Sequence, residues 1–392
     1  MTPHFAIPLL ALTLGHVFSN AVRTLPAVAA DVLARDLDIT TQQLAAITGA
    51  FPAAFALAML PVGVALDRWG VRPVALTLLA IAALGSALAA LAPSATTMLG
   101  AQIVLGLGCS GMMMCPMTYA ARAMDVQRFG LWSGVIQAVG NSGMILTASP
   151  LAWLVEVEGW RAGFWACLGI AALGAVAVLL TVKADRPAQS TSRGILGDAG
   201  EVLRLAASPR LRGLMILASV SFGAVLGVRG LWGGPWLMEA KGLPRIEAGH
   251  LLLGCTIALV AGPALSGWVV SRFGRVKLLL VLGHAVSALL VLALVAGGPL
   301  GFPPWLDGAL LIGFGLAIAY QVLCFALLRS LVRPEEAGRA LSAMNMFFFG
   351  GAAVLQWLSG GAAALGGVAA ALLTFALALL LGCLGFLRWQ RG

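Results

Sequence analysis

The sequence predicts an all-α integral membrane protein with twelve transmembrane helices, arranged as two pseudo-symmetric bundles of six. Three observations lead to this prediction. The 392-residue chain is 60% hydrophobic and only 10% charged, which is too few charges to cover a soluble globule of its size. Its apolar residues come in continuous runs of about 20, the length that crosses the hydrocarbon core as a helix. A short charged motif also occurs once in each half of the chain.

The apolar runs are continuous rather than alternating, which favours helices over the strands of a barrel. We predict spans near residues 4–30, 44–66, 73–92, 98–122, 129–154, 162–182, 211–237, 248–270, 277–297, 306–331, 339–360 and 364–387. The one long connection is the polar stretch 184–210 near the midpoint, which we interpret as a linker. The predicted domains are therefore a first six-helix bundle over 1–183, the linker, and a second bundle over 211–392.

The basic residues are distributed unevenly between the two sides of the predicted membrane. Of the 24 Lys and Arg residues, 18 fall on the side of the linker and both termini, four on the other side and two inside spans. Lys and Arg accumulate on the cytoplasmic side, so we expect cytoplasmic termini and a location in the cell inner (plasma) membrane. The net charge of +9 thus reflects topology, and no basic patch interleaved with aromatics predicts a nucleic-acid partner.

Other features exclude further classes of protein. The first apolar run is too long for a signal peptide and no basic stretch precedes it, so we expect it to be retained as a helix. The six cysteines all lie in predicted spans, which gives no disulfide framework. No H-E-x-x-H, G-x-S-x-G or phosphate-loop pattern occurs, so we expect neither an enzyme nor a protein with a cofactor or resident metal.

The charged motif lies between spans 2 and 3 and again between spans 8 and 9. Its residues are Gly63, Asp67, Arg68, Gly70 and Arg72 in the first copy, and Gly267, Ser271, Arg272, Gly274 and Arg275 in the second. The glycines permit a tight turn and close helix approach, and Asp67 is able to accept hydrogen bonds from amides of the next helix or from a facing Arg. We expect the motif to act as a gate latch that is weaker in the second copy; the alternative is a topological anchor.

This loop resembles the signature loop of the major facilitator superfamily, G-x-x-x-D-R-x-G-x-[RK], and the second copy lies where that family repeats it. Twelve spans and a central linker extend the resemblance over essentially the whole chain. It implies a carrier in the lipid bilayer that moves a small molecule by rocking its two halves; we also expect a monomer. Gln102 stands where the family often has an arginine linked to proton coupling, so that role is not carried over.

Two arginines lie inside predicted spans at nearly equivalent positions of the two halves. Arg23 is in span 1 and Arg229 in span 7, and no carboxylate lies in the middle of any predicted span. A guanidinium in hydrocarbon costs at least about 2.5–3.5 kcal/mol on insertion scales. With no obvious partner in the chain, we expect the substrate to be a small organic anion or oxyanion held by both groups. The resemblance implies the same, because paired arginines of helices 1 and 7 clamp anions in the organophosphate and organic-anion branches. The alternative is structural pairing with carbonyls or helix-end acids.

Further polar and sulfur-containing residues of the spans are candidates for the substrate site. They are His16, Asn20, Met113, Met117, Gln137, Asn141, Tyr320, Gln321 and Asn345. His16 is also a candidate carrier of a coupling proton, with a counter-transported anion as the alternative. Cys109, Met113 and Met117 would share one helix face, which leaves open a soft-metal (copper) or neutral-solute carrier, although Met commonly fills gaps.

Span 7 contains a second candidate gate. Trp232 and Pro235 lie in a stretch where Gly and Pro weaken the helix, and we expect a bend there that serves as an outer gate. The alternative for Trp232 is a place in the aromatic belt at the membrane surface.

Overall fold

The structure is a computed structural model that describes residues 3–123, 126–148, 150–183, 195–333 and 336–390. Regular structure in these ranges is entirely helical. The side chain of Asp67 and the first part of the predicted linker, residues 184–194, lie outside the described part.

The first compact unit comprises Met1–Asp38 and Ala50–Leu196. Its helices are α1 (Pro3–Val28), α2 (Ala30–Asp36), most of α3 (Thr41–Trp69), α4 (Val71–Ala90), α5 (Ala95–Cys109), α6 (Met114–Ala123), α7 (Val126–Ala148), α8 (Pro150–Glu158) and α9 (Trp160–Thr181). These helices are apolar, and their buried side chains are mainly Ala, Leu, Val and Phe.

The second unit comprises Ile39–Gly49 and Gly197–Gly392. Its helices are the first part of α3, α10 (Ile195–Ala206), α11 (Arg212–Ala224), α12 (Gly233–Pro235), α13 (Arg245–Phe273), α14 (Val276–Ala296), α15 (Pro304–Ile318), α16 (Leu323–Leu331) and α17 (Ala337–Trp389). Two π-helical segments, Val225–Trp232 and Trp236–Ala240, flank α12, and a 3₁₀ turn, Ala319–Val322, joins α15 to α16. The sequence-based boundaries at 183 and 211 remain a prediction.

Among the described residues, eleven helical segments are long and apolar enough to cross a membrane. The last of them, Ala340–Trp389, is interrupted at Gly366 and Gly367, which have non-helical backbone angles. Gly367 has φ of +66°, a conformation that glycine adopts without the steric penalty of a Cβ. The stretch therefore divides into two segments, which account for predicted spans 11 and 12.

Two details differ from the sequence-based expectations. Span 4 is interrupted by a turn between α5 and α6, so Cys109 and Met117 belong to separate helices instead of one continuous face. The stretch interpreted as a polar linker contains the helix α10. Val202 and Leu205 are buried and three positions apart, which gives α10 an apolar side that packs into the second unit.

Candidate functional site

In the first unit, three predicted site residues form one hydrogen-bonded group between α1 and α7. His16 Nε2 lies 3.2 Å from Gln137 Oε1, and Asn20 Nδ2 donates to the carbonyl oxygen of Gly140 at 2.9 Å. His16 and Asn20 are both buried. Because a carboxamide oxygen only accepts, Nε2 of His16 carries the hydrogen in its bond to Gln137. The contact fixes the ring orientation of His16.

Two glycines of α7 make this close contact possible. A Cβ on Gly140 would overlap the imidazole ring of His16, and a Cβ on Gly143 would overlap the carbonyl oxygen of Val17 and lie 2.9 Å from Cβ of Asn20. Small residues of this kind let two membrane helices approach along their backbones. The polar group of α1 is thus held against α7 by direct helix contact.

One buried acceptor of this group has no hydrogen bond within the described chain. It is Oδ1 of Asn20, whose amide nitrogen is engaged with Gly140. A buried polar atom without a partner calls for a specific explanation, such as a ligand or an ordered water. Arg23 follows Asn20 by one turn on α1, is half-buried, and interacts with another group of the chain.

The remaining candidates of the first unit are half-buried and less closely connected. Met113 lies in the turn between α5 and α6, and Asn141 follows Gly140 on α7. Met117 packs against the buried cluster of Leu9, Ala120 and Ile136, which favours a packing role for its thioether.

In the second unit, Arg229 is held by a residue that the sequence analysis missed. Arg229 is only 5% exposed, and its Nε donates to Oγ1 of Thr256 at 2.9 Å. The Thr256 hydroxyl in turn donates to the carbonyl oxygen of Leu252 at 2.8 Å. This chain of hydrogen bonds orients the plane of the guanidinium. The expectation that Arg23 and Arg229 lack partners in the chain is therefore wrong, since both interact with other groups.

Arg229 lies within a π-helical segment, Val225–Trp232, of an otherwise α-helical span. The sequence around it supplies a reason, because Gly227, Gly230, Gly233 and Gly234 weaken the α-helix and Pro235 lacks an amide hydrogen. π-Helical turns are rare and occur frequently at functional sites. The predicted weakening of span 7 therefore takes the form of a change in helix type.

Trp232 is buried and does not belong to an aromatic belt at the lipid surface. It is 2% exposed, and its Nε1 donates to Oγ of Ser359 on α17 at 2.9 Å. Pro235 ends the short helix α12 between the two π-helical segments and is also buried. Both residues connect span 7 to the interior of the second unit, and the outer-gate role remains a prediction.

The other candidates of the second unit lie on two further elements. Tyr320 and Gln321 belong to the 3₁₀ turn between α15 and α16, and Asn345 lies on α17; all three are half-buried. Tyr320 packs closely against Gly283 of α14, where a Cβ would lie 2.7 Å from Cβ of Tyr320. Oε1 of Gln321 is buried and has no hydrogen-bond partner in the described part of the chain.

The first copy of the charged motif forms a tight turn between α3 and α4. Gly70 has φ of +82°, and Nη2 of Arg72 donates to the carbonyl oxygen of Leu179 at 3.1 Å. Arg68 is exposed, and a Cβ on Gly63 would meet only the methyl carbon of Met114, at 3.7 Å.

In the second copy, Gly274 ends α13 with φ of +65°, while Gly267, Arg272 and Arg275 are exposed. Both copies therefore place a glycine where a positive φ is required. The latch function remains a prediction.

A chain of apolar membrane-crossing helices with buried polar groups inside both units is a polytopic membrane protein. The family model described as Major Facilitator Superfamily matches residues 12–356, so the chain belongs to this superfamily. The structure of a D-xylose-proton symporter has the same fold, with a TM-score of 0.81 and 15% identity, covering 99% of this chain and 98% of that one. The predicted all-α membrane fold is thereby confirmed.

The relatives found by sequence carry names that refer to several kinds of compound. A Methylenomycin A resistance protein of Streptomyces coelicolor is 27% identical, over 58% of this chain and 45% of the relative. The sialic acid transporter NanX of Escherichia coli is 25% identical, over 57% of this chain and 55% of NanX. A probable sulfoacetate transporter, SauU of Cupriavidus necator, is 25% identical, over 82% and 78%. The chain thus spans about half the length of the first two of these relatives.

Proposed function

We propose that this chain is a secondary active transporter that moves a small organic anion by alternating access, and that Arg23 and Arg229 bind the anion. The observation that carries the proposal is the environment of Arg229. A guanidinium that is 5% exposed lies in the interior of a membrane span, in a π-helical segment, with its Nε on the neutral hydroxyl of Thr256. Ionisable residues inside membrane spans are costly, and they commonly mark substrate pathways.

The guanidinium of Arg229 is suited to an acidic solute. A guanidinium offers five N–H donors in a planar fork that matches carboxylate, sulfonate and phosphate groups. Thr256 engages the Nε donor and fixes the plane of the fork, so the geometry for an incoming anion is set before it binds. Arg23, one turn after the buried Asn20, supplies the second cation of the proposal.

Two buried side-chain amide oxygens favour an organic over an inorganic anion as the substrate. Oδ1 of Asn20 and Oε1 of Gln321 accept no hydrogen bond within the described chain. Both need donors, which a fully ionised inorganic oxyanion does not have. A solute that carries hydroxyl or amide N–H groups besides its acidic group would satisfy them.

The names of two relatives agree with an acidic cargo. Sialic acid, the named solute of NanX, and sulfoacetate, the named solute of the probable transporter SauU, are both acids. The coupling partner that we propose is a proton carried at the buried His16–Gln137 pair, or a counter-transported anion. The excess of Lys and Arg on the side of the linker supports cytoplasmic termini in an inner-membrane carrier, which we also propose to be a monomer.

Export of an antibiotic-like compound is the second candidate function. It is favoured by the similarity to the Methylenomycin A resistance protein, a name that refers to protection from a toxic compound. The two candidates differ in the class of solute, and the second also requires outward transport. Uptake into proteoliposomes and efflux from loaded ones would therefore be measured in the same preparation.

The proposal is tested with the purified chain, sialic acid and sulfoacetate as anionic probes, and neutral and cationic compounds of similar size. Anions that bind the folded state raise its melting temperature. R23Q and R229Q should weaken binding of a stabilising anion by at least about tenfold, whereas R388Q, at an exposed arginine of α17, should not. The anion assignment is rejected if only neutral or cationic compounds stabilise the protein, or if both variants bind anions as the wild type does.

A further inference from the structure

A buried glutamine of the second unit has no part in the transport proposal. Gln356 lies on α17 and is only 5% exposed, and its Oε1 is buried without a hydrogen-bond partner in the described part of the chain. A buried acceptor that lacks a donor destabilises the fold, and an apolar side chain of similar length would avoid that cost. Such an atom requires a specific explanation, and a ligand that supplies the missing donor is one.

Gln356 lies in the same stretch of the second unit as Arg229. A Cβ on Gly223 would lie 2.7 Å from Cδ1 of Leu355, the residue before Gln356. Nε1 of Trp232 donates at 2.9 Å to the serine hydroxyl that follows Gln356 by three positions. Arg229 lies between Gly223 and Trp232 in the sequence, so the two contacts enclose the arginine on span 7 and the glutamine on α17. The guanidinium and the amide therefore belong to the same part of the membrane interior.

The groups next to Gln356 do not supply the missing donor. Ser359 Oγ accepts from Trp232 Nε1 and donates to the backbone carbonyl oxygen of Gln356 at 2.8 Å, so both hydrogens of this contact are used. On the other neighbour, Gly49 of α3, a Cβ would lie 3.8 Å from Oε1 of Gln356. Gly49 has no side chain to donate a hydrogen bond. The acceptor thus stays available to a solute.

We propose that Gln356 is a specificity-determining residue of the anion site, whose Oε1 accepts a hydrogen bond from a hydroxyl group of the solute. The inference rests on the proposed function, because Arg229 binds the acidic group of that solute. A guanidinium only donates and an amide oxygen only accepts, so the two side chains recognise different groups of one molecule. A carboxylate without a hydroxyl leaves Oε1 unpaired, and a site with an unpaired buried polar group discriminates against such an analogue. The substrate class is therefore a hydroxylated carboxylate.

The test compares acids that differ only in their hydroxyl groups. The purified full chain is titrated with gluconate and hexanoate, with 3-hydroxybutyrate and butyrate, and with lactate and propionate, and dissociation constants are obtained from ligand-dependent thermal shifts. We expect the wild type to bind the hydroxylated member of at least one pair about five- to tenfold more tightly. Q356M removes the acceptor and should lower this preference by about the same factor.

The matched control is Q42M, the same substitution at an exposed glutamine of α3, which should keep the preference of the wild type. Because the readout is the ratio of two acids bound by one variant, a general loss of affinity or stability does not imitate the effect. If Q356M does not fold, Q356N, which withdraws the amide by one methylene, is compared with the wild type in the same way.

The inference is overturned if the wild type has no preference for the hydroxylated acids, or if the Gln356 variant has the same preference as the wild type. Acids that bind in an Arg229-dependent manner without this preference would overturn the role of Gln356 alone. Failure of every carboxylate to bind would reject the anion assignment together with it. The two failures are therefore distinguishable in one series of titrations that includes R229Q.

Discussion

The Nζ atom of Lys241 lies 3.0 Å from Oδ2 of Asp307, and both side chains are buried inside the second unit. Nζ also donates to the carbonyl oxygens of Gly297, at 3.1 Å, and Phe302, at 2.9 Å. Trp236 Nε1 donates to Oδ1 of Asp307 at 3.3 Å. These hydrogen bonds offset the loss of water around the two charges. They connect the end of the second π-helical segment to α15 and to the loop before it.

The first unit contains the same combination of groups in a more exposed setting. Asp36 Oδ2 accepts from Trp160 Nε1 at 2.9 Å and lies 3.5 Å from Nη1 of Arg161. Nη2 of Arg161 donates to the carbonyl oxygen of Ala92 at 3.2 Å. The two charged side chains are 46% and 45% exposed. An indole, a carboxylate, a cation and a loop carbonyl thus occur together in both units, and the two clusters differ mainly in burial.

The first prediction concerns these two carboxylates. D307N leaves the Lys241 ammonium buried without its counter-charge and should lower the free energy of unfolding by about 3–5 kcal/mol. D36N removes a solvated partner of Arg161 and should cost no more than about 1 kcal/mol. Thermal and denaturant unfolding of both variants in the same detergent measures the difference. Comparable losses of unfolding free energy in the two variants would show that burial does not determine how much the Lys241–Asp307 pair stabilises the protein.

A double variant separates charge from packing at the same place. K241M/D307N removes both charges, so no unpaired ion remains in the interior. It should be more stable than D307N alone. A double variant as unstable as D307N would instead indicate that lost packing causes the effect.

The sequence predicted the membrane helices because each needs only a continuous apolar run of sufficient length. It did not predict the buried pair, because Lys241 and Asp307 both lie near span ends, where charges are normally solvated. Thr256 was missed for a related reason. A threonine in an apolar helix usually bonds to its own backbone, as Thr256 does with Leu252, and nothing local predicts that Arg229 also reaches it.

The sequence predicted which residues belong to the candidate site, but it did not predict which of them contact each other. His16, Asn20 and Gln137 were selected because packing alone does not require polar groups there. Their pairing depends on Gly140 of α7, which lies more than a hundred positions from α1, so no local sequence pattern predicts that the two helices meet there. The helical spacing of the apolar residues Val202 and Leu205 was a sequence signal for α10. The neighbouring Pro and Ser residues nevertheless favoured a linker.

The second prediction concerns the orientation of Arg229. T256V removes the hydroxyl that accepts from Nε, while T256S keeps it. A hydrogen bond to a charged group contributes about 1.5–3 kcal/mol, so T256V should weaken anion binding by about ten- to a hundredfold. T256S should stay near the wild type. Binding is measured by ligand-dependent thermal shift and by the KM of uptake; equal behaviour of the two variants would contradict a positioning role.

The third prediction concerns the contact of α1 with α7. G140A places a methyl group on the His16 ring, and relieving this overlap should cost about 1–3 kcal/mol of stability. The control is G169A on α9, where a Cβ would meet no atom within 4 Å. There, loss of a flexible glycine from a helix should leave stability unchanged or raise it slightly. Melting temperatures of the two variants measure this; a tolerated G140A would show that α1 and α7 are free to separate.

The fourth prediction is the pH dependence of the ion pair between Glu336 and Arg333. Hydrogen bonds from Arg333 hold the pKa of Glu336 below its ordinary value of 4.5. A carboxyl whose pKa is lower in the folded than in the unfolded state contributes stability above the unfolded pKa, and this contribution is lost as the pH falls through the folded pKa. E336Q should therefore melt below the wild type near neutral pH, and the difference should shrink as the pH falls below 4.5 and disappear once the pH is below the lowered pKa of Glu336. Salt should also reduce the difference in melting temperature, because Arg204 and Arg333 are exposed.

E158Q, at an exposed carboxylate of α8, is the control for the pH dependence of E336Q. A difference between E336Q and the wild type that persists unchanged at acidic pH would mean that shape, rather than charge, makes Glu336 stabilising.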